Sequence, residues 1–207
     1  MSEKIRYAVM VSGGGTNLQA IIDAQAAGKI PHGELALVVS NVKDAYALER
    51  AKKAGIPAVA ITKKGFTDHQ ALEEEMIRQL DAAGIEFIVL AGFLAILSDD
   101  FVKHYDHRMI NIHPSLIPSF CGEGFYGLKV HEAALAKGVK VSGATVHYVN
   151  EIPDGGEIIL QKAVRVYPND TPEKLQLRIM KQAEWKLLPK ATELCCKQLA
   201  EAKEKSK

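Results

Sequence analysis

Short apolar runs alternate with segments of helical periodicity through the first half of this chain, and few folds accept that order. Residues 5–11, 35–39, 58–61, 87–90 and 109–112 read as buried strands. Residues 17–28, 45–55 and 68–84 carry apolar side chains at helical spacing, with glycine at or near each C-terminal end. Such alternation predicts parallel strands joined by right-handed crossovers. The expected fold is α/β: a doubly wound, mostly parallel sheet with helices on both faces. Residues 140–149 and 158–166 are strand-like and should extend the sheet, as a hairpin-like pair or otherwise. A last long helix should begin near Asp170-Thr171-Pro172-Glu173, where a cap residue precedes proline. It should run towards Ala202, kinked or divided at Pro189.

Nothing along the 207 residues looks like a linker or a repeat, and nearly half are apolar, so one domain over residues 1–207 is expected. The formal net charge is +1, which disfavours a nucleic-acid-binding face. Only Lys203-Glu204-Lys205-Ser206-Lys207 is locally basic, and it reads as a frayed, solvated end. No apolar stretch approaches the roughly 18 residues of a membrane span. The start, Met1-Ser2-Glu3-Lys4, does not read as a signal peptide. Cys121, Cys195 and Cys196 are too few and too irregular for a disulfide framework or zinc site. A cytoplasmic protein with reduced thiols and no metal is expected.

The first strand leads into Ser12-Gly13-Gly14-Gly15-Thr16-Asn17 and then a helix. Glycines let a ligand approach backbone N–H groups, and a helix N-terminus adds unpaired donors and partial positive charge. A Walker A loop would end in Gly-Lys-Ser/Thr, but Thr16-Asn17 follow Gly15. A dinucleotide fingerprint needs glycine or alanine where Leu18 stands, and an acidic residue where Ser40-Asn41 stand. A phosphomonoester suits the loop better, although a tight turn without a ligand remains open.

In the strand ending at His113, Asn111 and His113 point the same way, at the carboxyl end where parallel sheets place ligands. An asparagine amide can donate to a developing oxyanion, and a histidine can move a proton near neutral pH. Asp154, in the loop Pro153-Asp154-Gly155-Gly156, can reach back to orient or charge His113. Both segments are equally compatible with plain turns. His147 reads as a structural histidine on an alternating strand. His104 and His107 have a spacing that can bind metal on a helix, but lack a third ligand. Met180 and Trp185 read as core.

In order along the chain, Ser12-Gly13-Gly14-Gly15-Thr16-Asn17-Leu18-Gln19-Ala20-Ile21, Leu90-Ala91-Gly92-Phe93, Asn111-Ile112-His113-Pro114-Ser115-Leu116-Ile117-Pro118 and His147-x-Val149 with Asp154-Gly155-Gly156 resemble the phosphoribosylglycinamide formyltransferases, of the folate-dependent formyltransferase family. The resemblance covers all but the charged tail at 201–207. It implies a phosphate- and ribonucleotide-binding half at about 1–100 and a folate and catalytic half at about 101–200. It implies transfer of the formyl group of 10-formyltetrahydrofolate to the amine of glycinamide ribonucleotide, in purine biosynthesis, by a monomer or homodimer. Asn111, His113 and Asp154 would be catalytic, with Ser115 and His147 as possible support. Gly14, Gly15, Thr16, Asn17, Arg108, Lys181 and Glu184 would hold the ribonucleotide. Phe93, Leu94, Ala95, Ile96, Leu97, Asn150, Glu151, Ile152 and Pro153 would hold the folate.

The chain departs from the pattern in two places: many relatives carry arginine where Ala95 stands, at the folate pocket, and some carry arginine near His69, close to the phosphate. Cys121, in a glycine- and aromatic-rich loop to Leu128, has no base placed for a nucleophile. A methionyl-tRNA formyltransferase would carry a further C-terminal domain. A formyltetrahydrofolate hydrolase is the nearer alternative, since water attack reuses the same three residues. A non-catalytic phosphate-ligand module would leave those residues without a common purpose.

Overall fold

The computed structural model describes residues 4–205, so the start at residues 1–3 and the last two residues of the basic tail lie outside it. One sheet of seven strands runs in the order β3-β2-β1-β4-β5-β6-β7. β1 (Ile5–Val11) is buried on both sides: Ile5, Tyr7, Val9 and Val11 enter one core, Ala8 and Met10 the other. Side chains alternate across a strand, so a continuous apolar run forces two covering layers.

α1 (Thr16–Ala26) and α2 (Tyr46–Lys53) cover the first face, α1 through Leu18 and Ile21 and α2 through Ala47 and Ala51. α3 (His69–Ala82) covers the second with Leu72, Met76 and Leu80. β2 (Gly33–Ser40), β4 (Phe87–Leu90) and β1 pair in parallel, β3 (Ala58–Ala60) flanks β2, and β5 (Met109–His113) flanks β4 in parallel. The chain winds outward from β1 to β3, then returns to β4 on the other side of β1. That reversal opens a crevice at the carboxyl ends of β1 and β4.

The later strands are antiparallel. β6 (Val141–Tyr148) pairs with β5 and with β7 (Ile158–Arg165). Two helices were not anticipated from the sequence: α4 (Asp99–His104), capped by Ser98, and α5 (Leu128–Lys137), which runs between Gly127 and a left-handed Gly138, both at positive φ. α6 (Pro172–Ile179) starts as expected, with the Thr171 hydroxyl accepting from Lys174 N at 3.3 Å. The long helix then divides at a π turn (Met180–Glu184), and Pro189 lies inside the following α7 (Trp185–Lys205). Proline lacks the N–H of a regular ladder and crowds the preceding turn, and the widened turn just upstream is where the helix yields. The basic end is not frayed as far as it is described: α7 continues to Lys205, and Lys203 pairs with Glu86. Among the described residues no helix is long and apolar enough to cross a membrane.

Candidate active site

The antiparallel pairing of β5 with β6 assembles the polar centre. Its register sets Asn111 opposite His147 and His113 opposite Thr145. Cross-strand partners share a face, so the Asn111 amide and the His147 ring meet, Nδ2 lying 3.3 Å from Nε2. Asp154 enters from the loop after β6. Its backbone is left-handed (φ 56°), an uncommon conformation for a residue with a side chain. Its Oδ2 lies 3.4 Å from His113 Nδ1 and its Oδ1 lies 3.4 Å from His147 Nε2. The carboxylate also accepts Gly122 N–H at 2.8 Å and a long contact from Asn111 Nδ2 at 3.5 Å.

Hydrogen-bond chemistry assigns the ring protons. A carbonyl can only accept, so His113 Nε2 donates to Phe120 O at 2.8 Å, and His147 Nδ1 donates to Tyr148 O at 2.8 Å. His147 Nε2 lies between Asn111 Nδ2 and Asp154 Oδ1: it accepts from the amide when the ring is neutral and donates to the carboxylate when the ring is protonated. His147 is therefore part of the centre and not only a structural residue. Burial pulls the His113 pKa below its ordinary value, against the opposing pull of Asp154 and the Phe120 carbonyl. Burial pushes Asp154 up, but the His147 hydrogen bond, the His113 ring and Gly122 N–H outweigh it and hold the carboxyl below its usual range. Both shifts describe an anionic Asp154 beside a His113 that readily gives up its proton. The 3.4 Å separation agrees, being longer than the roughly 2.7–2.9 Å of a charge-assisted hydrogen bond.

The glycine loop lies at the same sheet edge. Ser12 ties it down: its hydroxyl donates to Asn41 Oδ1 at 2.7 Å and accepts Leu94 N–H at 2.8 Å. Gly13 and Gly14 have open space where a Cβ would stand, whereas a Cβ on Gly15 (φ 69°) would lie 2.6 Å from Ala47 Cβ. Gly15 thus permits both the turn and the contact with α2. It caps α1 without a side-chain hydrogen bond, and the first turn holds no acidic residue. Thr16 opens that helix. Arg50, unremarked in the sequence, fixes Gly14 O at 2.8 Å. Asn17 donates to Glu184 Oε2 at 2.7 Å, while Asn17 Oδ1 is buried without a protein partner. Burial raises the Glu184 carboxyl to about 7 despite that hydrogen bond.

A cleft of about 690 Å³ joins these groups, lined by Asn17 and Glu184, by Asn111, His113, His147 and Asp154, and by both proposed folate segments, 93–97 and 150–153. Leu94, Ile96 and Ile152 are 62%, 69% and 65% exposed there, an apolar patch facing a polar centre. Ala95 borders a smaller pocket lined by Lys63, Lys64 and His69. The glycine-rich loop contributes Gly122, Phe125 and Tyr126 to the cleft, and Cys121 Sγ is turned to Pro118 O at 3.3 Å. Met180, expected in the core, is half-buried and lines the cleft.

Of the expected site residues, Gly14, Gly15 and Thr16 stand in the glycine loop and do not line this cleft, and Arg108, Lys181 and Ser115 are turned elsewhere. Arg108 precedes β5, at the strand end opposite His113; it stacks over Tyr105 and donates to His104 O. Lys181 is exposed on an outer groove with Lys174 and Arg178, because the π turn directs Met180 and Glu184 inward and rotates Lys181 away. Ser115 is fully buried and its hydroxyl donates to Ser119 O at 2.5 Å, shaping the turn after β5. Sequence reasoning missed His131 on α5, which lines the cleft; a lone histidine on an unrecognised helix gave no signal. Among the described residues no group of three His, Cys, Asp or Glu is placed to hold a metal.

A family model described as formyl transferase matches residues 5–192. The chain is 40% identical over 184 residues to the phosphoribosylglycinamide formyltransferase of Haemophilus influenzae, covering 89% of this chain and 84% of that one. It is 46% identical over 181 residues to the trifunctional purine biosynthetic protein adenosine-3 of Drosophila pseudoobscura pseudoobscura, covering 87% of this chain but only 13% of that protein. The crystal structure of glycinamide ribonucleotide transformylase 1 from Symbiobacterium toebii superposes with a TM-score of 0.88 at 39% identity, covering 94% of this chain and 89% of that one. With this fold, this site and these relatives, the chain belongs to the formyl transferase family, among its phosphoribosylglycinamide formyltransferases.

Proposed function

We propose that this chain transfers the formyl group of 10-formyltetrahydrofolate to the amine of glycinamide ribonucleotide, by direct attack through a tetrahedral intermediate. The observation that carries this reading is the convergence of Asn111, His113 and Asp154 between an uncapped glycine loop and an apolar slot. The ribonucleotide phosphate is held by the Gly14, Gly15, Thr16 and Asn17 backbone, and Glu184 faces the ribose. The folate ring system lies among Phe93, Leu94, Ile96, Leu97 and Ile152, along the backbone of Asn150, Glu151 and Pro153. Lys63 and Lys64, beside Ala95, offer basic charge for an anionic folate tail.

As the amine attacks the formyl carbon, negative charge develops on the formyl oxygen. The Asn111 N–H now loosely given to Asp154 at 3.5 Å is the one free to take that oxygen. The His113 Nε2–H is the second donor once the Phe120 carbonyl yields it. The oxyanion raises the proton affinity of His113 when the charge is needed, and Asp154 then faces a cation on Nδ1. The attacking amine loses one proton and the departing folate nitrogen gains one, and the His113–Asp154 pair lies where that transfer takes place.

Deformylation of 10-formyltetrahydrofolate, followed with and without glycinamide ribonucleotide, tests the reading. Wild type should turn over only with the ribonucleotide, and His113→Ala should lose about 1000-fold in kcat. Turnover without the amine would favour a hydrolase. Unchanged turnover in His113→Ala would remove the central residue of the mechanism.

A further inference from the structure

Five buried side-chain atoms among the described residues lack a protein hydrogen-bond partner, and three of them line the cleft: Asn17 Oδ1, His131 Nδ1 and His131 Nε2. His131 is the more telling. It is 1% exposed, yet neither ring nitrogen is satisfied. A buried polar group without a partner costs about 1–3 kcal/mol, so such a ring marks a place where a partner arrives. His131 sits in the first part of α5, close enough to the His113 ring to be repelled by its charge, and it lines the same cleft as Met180 and Glu184. Burial first, and His113 second, push its pKa down to about 4, so at neutral pH it is an uncharged ring with one donor and one acceptor. Neutral groups of that kind match an amide or a hydroxyl and match a phosphate poorly.

Resting on the function proposed above, we infer that His131 is a substrate-positioning residue that hydrogen-bonds the amide of the acceptor's glycinamide arm, between the ribose at Glu184 and the reacting amine at His113. A bond there sets the last rotations of that arm, and so the approach of the amine to the formyl carbon.

The test compares wild type with His131→Phe, which keeps an aromatic ring without polar atoms, and His131→Asn, which keeps a donor and an acceptor. KM for the ribonucleotide should rise about tenfold in His131→Phe and recover partly in His131→Asn, while KM for the folate stays within about twofold. Thermal melting checks that the variants fold. Calorimetric titration of each protein with the ribonucleotide alone should show the same ordering of affinity. An unchanged ribonucleotide KM and affinity in His131→Phe would overturn the assignment, and so would an equal rise in both KM values. Wild type that neither turns over nor binds the ribonucleotide would instead overturn the proposed function.

Discussion

Two carboxyl groups line one cleft, and their pKa values move in opposite directions. Burial pushes both up. Asp154 is surrounded by His147, His113 and Gly122 N–H, which outweigh burial and keep it anionic. Glu184 has only the Asn17 amide, which does not, and it rises to about 7. The difference lies in the company each keeps. Asp154 comes from a loop that reaches two histidines on adjacent strands, so it suits a site where charge must be met. Glu184 is a buried residue of the π turn with a single neutral partner, so it suits hydroxyl groups, which it can meet in either protonation state.

The largest test of this contrast is Asp154→Asn, which preserves shape and removes charge. kcat should fall about 1000-fold, and the His113 pKa, read by NMR titration, should fall further because its nearest anion is gone. A variant that keeps more than about a tenth of wild-type kcat would take that charge out of the mechanism. Because Asp154 is held below its usual value, its contribution to stability is present above the unfolded pKa near 3.8 and is lost as pH falls through the lower folded pKa.

Glu184→Gln comes next, and its sign is reversed. A carboxyl raised from 4.5 to about 7 binds its proton more tightly in the folded state. Its stabilising contribution is whole below the unfolded pKa and fades as pH rises through the folded one. Wild type should therefore lose about 3 kcal/mol relative to Glu184→Gln between about pH 4.5 and pH 7, measured by urea denaturation without ligand. Parallel stability curves for the two proteins would show that Glu184 is not the buried acid described here. The smallest effect is Arg108→Ala: KM for both substrates within about twofold and a stability change below about 1 kcal/mol. A large KM increase there would bring the guanidinium back to the site.

Much of this was legible from local pattern. β1, β4 and the start of α6 fall where apolar runs and the Thr171-Pro172 cap place them. Strand alternation put Asn111 and His113 on one face, and the Gly15 turn was readable because positive φ favours glycine. α5 was missed because its amphipathic signal is weak beside the glycine-rich segment before it. Arg108 and Lys181 lie away from the cleft, since a motif match gives a position in the chain and not the direction of a side chain. The meeting of His147 with Asn111 depends on β6 running antiparallel beside β5, a long-range pairing no local window reports.

The doubly wound sheet, the glycine loop and the polar strand end follow from periodicity, backbone sterics and residue chemistry acting within a few neighbours. Asp154 between two histidines, Glu184 paired with Asn17 and the two unpartnered His131 nitrogens come into being only in the folded chain. Those outcomes depend on burial and on groups brought together from distant parts of the chain. Desolvation and hydrogen bonding act through space, so their balance exists only once the chain has closed around the cleft.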